Sequence, residues 1–158
     1  MRHPLPLLLL TLLAVSCSGP APAPTQDNAT IEAAHQAHDA YVNAINSNDL
    51  ATLLGMLTDD VVYMAPHETP MLGKSEVAPW LESYLGGWRT NWDKPVQEFV
   101  VSGEWAFERY SYTSTNISLA DGSVVVDTGW GLAIYHHDAD GTWRVARDAW
   151  GSDLPMPE

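Results

Sequence analysis

From residue 31 the apolar positions recur at steps of three and four: Ile31, Ala34, His38, Tyr41 and Ile45, with Ala37, Val42 and Ala44 beside them. That spacing predicts an amphipathic helix of about four and a half turns, with Thr30 as its N-cap and Glu32 in its first turn. Asn46-Ser47-Asn48-Asp49 ends this helix and can cap a shorter one over residues 50–57. Thr58-Asp59-Asp60 reads as a turn, and Val61-Val62-Tyr63-Met64 as a short strand stopped by Pro66. A third helix is predicted over 75–85, with Val77, Trp80, Leu81 and Tyr84 on one side. Pro79 falls near its first turn, where proline is tolerated, and Gly86-Gly87 end it. Trp88 and Trp92 then read as part of a loop.

After Pro95 the period changes from helical to alternating. Val96–Ser102 and residues 104–117, 122–137 and 142–150 are rich in aromatic and β-branched side chains. Ser-Gly, Ala-Asp-Gly and Asp-Ala-Asp-Gly separate them as hairpin signals. Helices first and a long antiparallel meander second is an α+β order, a single domain of three helices laid over a curved sheet to enclose a cone. The final strand places Trp143, Val145, Arg147 and Ala149 on one face and Arg144, Ala146, Asp148 and Trp150 on the other. Trp143 and Val145 look like core, so Arg147 is expected inside the cone, paired with a carboxylate or an anionic ligand. Asp127 and Asp148 are the strand acids that an acid chemistry inside the cone could use, though each has a plain reading as an outer-face residue.

The first residues do not belong to this pattern. Arg2 and His3 precede an apolar run over 5–15, about half the length that spans a bilayer. Charge, apolar middle and small residues together read as an export signal over 1–16. It ends in Ala14-Val15-Ser16-Cys17, which resembles the lipobox of bacterial lipoproteins, so that the resemblance implies lipidation of Cys17 and an envelope address. The Ala-Pro alternation that follows cannot pack a core and makes residues 17–28 a semi-rigid tether. The globular domain is expected over 29–153, with a short tail over 154–158.

Composition narrows the chemistry. The 158 residues carry 7 basic and 20 acidic side chains, a net charge of −13. Loss of the signal removes Arg2 and leaves six basic residues against 20, or −14. Such a chain lacks the basic face that nucleic acid or an anionic membrane surface needs. One cysteine forbids an internal disulfide and leaves too few thiols for a structural zinc or iron–sulfur site. No P-loop, dinucleotide fingerprint, HExxH or GxSxG motif is present, so the sequence implies no cofactor and no metal. Seven tryptophans and six tyrosines load the strands on both faces, which calls for a cover over the outer face; a second copy of the chain supplies one.

Three stretches resemble one family: 41–50 (Tyr-Val-Asn-Ala-Ile-Asn-Ser-Asn-Asp-Leu), 57–62 (Leu-Thr-Asp-Asp-Val-Val) and 140–150 (Asp-Gly-Thr-Trp-Arg-Val-Ala-Arg-Asp-Ala-Trp). Together they are similar to the NTF2-like superfamily, within it the SnoaL-like and DUF4440 branch. The resemblance implies an α+β cone with a deep pocket, often dimeric through its outer sheet face, in enzymes and in plain binders alike. It also permits a check against ketosteroid isomerase. Tyr41 falls where that enzyme's helix tyrosine stands, but Ala65 and Gly131 fall at the base and second-acid positions, so isomerase chemistry is rejected.

The leading expectation is therefore an exported, lipid-anchored homodimer that binds a small, mostly apolar or aromatic molecule. Tyr41, Tyr63, Trp88, Trp92, Trp130 and Arg147 are the candidate lining residues. One alternative is a lyase, hydrolase or cyclase on the same frame using His38, Tyr41 and Arg147. Another is an envelope interaction module whose pocket is filled by its own side chains.

Overall fold

The computed structural model describes residues 28–155; the leader, Cys17 and the Pro/Ala tether lie outside the described residues. Three helices come first: α1 (Asn28–Ser47), α2 (Leu50–Gly55) and α3 (Lys74–Gly87). Seven strands follow or interleave: β1 (Leu57–Met64), β2 (Met71–Leu72), β3 (Trp88–Asp93), β4 (Val96–Ser102), β5 (Trp105–Ser118), β6 (Val124–His137) and β7 (Trp143–Ser152). They form one sheet in the order β2-β1-β7-β6-β5-β3, with β4 on the same edge of β5 as β3. This is the α+β, NTF2-like architecture, with helices packed on a curved, unclosed sheet.

The long strands β5 and β6 are its spine, paired over thirteen positions from Trp105↔His136 to Ile117↔Val124. The first half of β5 pairs with β4 and the second with β3. The core lies between the helices and the concave face. Ala34, Ala37, His38, Tyr41 and Ala44 of α1 turn inward at helical spacing, and small alanines let the helix approach closely.

Three local expectations are corrected. The sheet is mixed, because β1 runs parallel to β7. Thr58-Asp59-Asp60 is no turn but part of β1, at an irregularity where the register with β7 shifts between Leu57 and Val62. The residues around Trp88 and Trp92 form strand β3. Asn46 and Asn48 explain why that strand holds. Asn46 accepts from Trp92 N at 2.7 Å and donates to Trp92 O at 2.9 Å; Asn48 does the same for Thr90, at 2.7 and 2.9 Å. Two side-chain amides thus stand in for a neighbouring strand on the free edge of β3 and tie it to the end of α1.

A bulge decides what faces the cone. Between β6 and β7 the register jumps, so that Tyr135 pairs with Val145 and Ile134 with Arg147. Ala146 is the extra residue, buried like Val145 before it. One inserted residue reverses the alternation beyond it. Asp148 and Trp150 therefore join Trp143 and Val145 on the inner face, and Arg147 is carried outward.

Candidate functional site

The concave face and the helices enclose a cavity of about 330 Å³. Its wall is aromatic: Trp80 and Tyr84 from α3, Trp92 from β3 and Trp150 from β7. Trp150 meets Tyr63, Trp80 and Trp92 in edge-on contacts, with ring centroids 5.6, 6.3 and 6.3 Å away. Trp92 in turn stacks on Tyr112 at 4.5 Å. Rings crossed in this way give both quadrupole attraction and stiff walls.

The floor is polar and buried. Asp148, 3% exposed, accepts from Tyr41 Oη at 2.9 Å and from Tyr110 Oη at 2.7 Å. Tyr41 and Tyr63 share a hydrogen bond of 2.8 Å. With the Tyr41 proton given to Asp148, the Tyr63 hydroxyl donates to Tyr41, so the chain runs Tyr63 to Tyr41 to Asp148. Lys94 Nζ lies 3.8 Å from both Asp148 and Glu108, and 3.8 Å from the centre of the Tyr110 ring. Glu108, fully buried, also meets His38 Nδ1 at 2.6 Å, an ion-pair contact poorly aligned for a hydrogen bond.

Burial pushes the Asp148 carboxyl above its ordinary range and Glu108 adds to this, while Lys94 and the two phenol hydrogen bonds oppose it. Burial beside the Asp148 charge raises the Tyr41, Tyr63 and Tyr110 phenols in turn, so all three are proton donors at neutral pH. The floor thus offers phenol hydroxyls coupled to one carboxyl that burial holds above its ordinary range. That set can orient a hydroxyl group that donates to Tyr63, or exchange a proton with it along the chain.

A second acid stands higher in the cavity. Asp127 accepts from Tyr112 Oη and Ser152 Oγ, each at 2.8 Å. Two glycines make room for the tyrosines that reach these acids. A side chain at Gly131 would strike the Tyr110 phenol, and one at Gly129 would strike Tyr112.

The candidate residues separate accordingly. Tyr41, Tyr63 and Trp92 line the cavity together. Trp88, half-buried at the start of β3, does not reach it. Trp130 is 71% exposed on the outer face of β6. His38 is buried behind the floor against Glu108. Arg147 turns outward, where it meets Asp60 Oδ2 at 3.3 Å and the Asp60 carbonyl at 3.1 Å. Asp148, Asp127, Lys94, Trp80, Tyr84 and Trp150 line the site without having been singled out as lining residues by the sequence. Trp80 and Tyr84 carried a usable signal in their shared face of α3. Asp148 is a candidate acid in the sequence, but the alternation places it on the outer face, because the bulge is not written in it.

The comparisons agree with this geometry. A family model described as a SnoaL-like domain matches residues 38–147. The fold is similar to that of a ketosteroid isomerase-like protein from Erwinia carotovora atroseptica SCRI1043, with a TM-score of 0.74 at 28% identity over 82% of this chain and 100% of that one. A conserved protein from Planctomyces limnophilus DSM 3776 gives 0.71 at 23% identity, over 80% and 99% of the two chains. An NTF2-like superfamily protein from Salmonella enterica serovar Typhimurium LT2 gives 0.70 at 13%, over 82% and 94%. No curated protein matches the chain. The matched residues run from His38 on α1 to Arg147 on β7, across nearly every element of the cone, and the chain belongs to the SnoaL-like domain family.

Proposed function

We propose that this domain binds a small, mostly apolar, flat molecule in its cone, on a chain held in the cell envelope by lipid at Cys17. The observation that carries the ligand reading is the wall of Trp80, Tyr84, Trp92 and Trp150 above the hydrogen-bonded pair Tyr41–Asp148. Apolar walls with a few convergent polar groups are the usual build of a small-molecule site. The ligand's rings lie among the tryptophans, and a hydroxyl group donates to the Tyr63 oxygen, whose own proton goes to Tyr41. A cavity of about 330 Å³ also weighs against a module filled by its own side chains. Calorimetric titration with 1-naphthol, a fused ring with one hydroxyl, tests the reading. Binding that is lost in Trp150→Ala and weakened in Tyr63→Phe is expected; no heat of binding overturns it.

One observation favours an enzyme as the second reading. Chemistry of the lyase, hydrolase or cyclase type needs an acid inside the cone, and Asp148 is there, joined to Tyr41 and Tyr63. In this reading Asp148 and the two phenols replace His38 and Arg147 as the working groups. Turnover of a bound ring compound that disappears in Asp148→Asn, with binding retained, would establish it.

The address rests on the lipobox-like Ala14-Val15-Ser16-Cys17. No helix among the described residues is long and apolar enough to cross a membrane. Lipid on Cys17 would hold the chain, and the tether would keep the acidic domain off the surface. Cys17→Ala should abolish labelling by a fatty-acid analogue and release the protein from the membrane fraction. An unlabelled wild type would refute the anchor.

A further inference from the structure

We infer that the ligand is an organic cation: a flat apolar frame bearing an ammonium group, seated between Asp127 and the indoles of Trp92 and Trp150. The inference rests on the pocket reading above and adds the charge of the occupant.

The charged side chains that line the cavity are Asp148, Lys94, Asp127 and Glu68, with His67 beside them. At the floor the charges answer one another. Lys94 stands between Glu108 and Asp148, and His38 meets Glu108 from behind. Higher up nothing positive answers Asp127. Its two oxygens accept only from the neutral hydroxyls of Tyr112 and Ser152. Among the described residues, Lys74, Arg109, Arg144 and Arg147 are committed to acids elsewhere, and Arg89 is exposed on the face of β3 opposite Trp92, outside the cavity lining. A half-buried carboxylate without a counter-charge favours a cation and repels an anion. The chain's net charge of −13 reinforces this at a distance.

The rings next to Asp127 are suited to the same charge. Tyr112, which donates to Asp127, is stacked on Trp92, and Trp92 stands at 86° to Trp150. Ser152, the other donor, lies two residues beyond Trp150 on the same face of β7, a step of about 6.6 Å along a strand. The carboxylate therefore lines the same cavity as the corner made by the two crossed indoles, joined to them through Tyr112 and Ser152. Such corners attract ammonium groups through the negative faces of the rings. A metal ion fits poorly there: no cluster of three metal-binding side chains occurs among the described residues.

The test titrates the full chain with three probes on one frame: 1-naphthylmethylammonium, 1-naphthylmethanol and 1-naphthoate. The ammonium should bind about tenfold tighter than the alcohol, and the carboxylate weakest of the three. In Asp127→Asn the ammonium should fall to within about twofold of the alcohol. Equal affinity for ammonium and alcohol, or tightest binding of the naphthoate, would overturn the cation inference and leave the pocket reading standing. Failure of all three to bind would overturn both. Should Asp127→Asn not fold, because Tyr112 and Ser152 lose their acceptor, the wild-type order of the three probes decides the matter.

Discussion

Tyr110 and Gly131 are direct partners across β5 and β6, and the phenol ring lies over the glycine in the space a side chain would fill. The glycine lets Tyr110 cross β6 and reach Asp148 on β7. A Cβ at Gly131 would meet the Tyr110 ring and the Ala149 carbonyl, both within the range where something must shift. Gly131→Ala should therefore destabilise the domain by about 1–3 kcal/mol, the usual cost of overpacking. Urea unfolding measures it. Adding Tyr110→Leu, which clears the space, should make the second change cheaper in the glycine variant than in the wild type; simple additivity would speak against the clash.

Arg147 and Asp148 are neighbours in sequence with opposite fates. Arg147 pairs with Asp60, whose carboxylate is largely exposed. Pairs of that kind are worth little, so Arg147→Ala should cost less than about 1 kcal/mol. Asp148→Ala leaves Lys94 with Glu108 alone and two buried phenols without their acceptor, and should cost about 3–5 kcal/mol. Thermal melts of the two variants side by side check the order. A larger loss at Arg147 would mean that the bulge at Ala146 does not reverse the strand.

The same carboxyl sets a pH dependence. Burial raises Asp148 in the folded protein above the unfolded aspartate value of about 3.9. Between those two values the folded state holds the extra proton, so the contribution of Asp148 to stability falls as pH rises. The unfolding free energy of the wild type minus that of Asp148→Asn should therefore decrease from pH about 4 upward, and level off once the folded carboxyl ionises. Groups common to both proteins cancel in the difference. A difference that grows with pH would mean that Lys94 and the phenols, not burial, govern this acid.

Much of this fold was legible because long elements repeat their period many times. The stripe from Ala34 to Ala44 and the alternation through β5 and β6 each average over several turns or pairs, so single exceptions do not hide them. The site was less legible, for local reasons. The inserted Ala146 reversed the last strand, and period-2 reasoning carried Arg147 inward in place of Asp148. The strand around Trp92 is held by the amides of Asn46 and Asn48, a long-range arrangement that local propensity does not encode. Trp130 is a pocket candidate in the sequence because aromatic residues on β6 point both ways. Only the glycines at 129 and 131, which mark the face crossed by Tyr112 and Tyr110, could have told the two sides apart.

The outer face of the sheet leads to the last prediction. Along β6, Val124, Val126, Trp130 and Leu132 point away from the helices and are 58, 52, 71 and 42% exposed. Trp105 and Ile117 on β5 extend the patch at its two ends. An apolar stripe of this length, broken only by Thr128 between Val126 and Trp130, is unusual on a monomer that stays alone. A two-fold dimer would cover it with the same stripe of a second copy, since such an interface brings one patch against itself. Both copies are strongly acidic, but the charges beside the stripe are paired, Arg109 with Glu98 and Arg147 with Asp60, so little repulsion is concentrated at the contact. We therefore expect a homodimer in solution. Trp130→Asp would place two like charges in the buried patch and should shift the protein to monomer without disturbing the cone, because the side chain makes no contact with the pocket. Sedimentation velocity at micromolar concentration measures both states. A wild type that sediments as monomer, or a Trp130→Asp variant that remains dimeric, would show that this face is not where two copies meet.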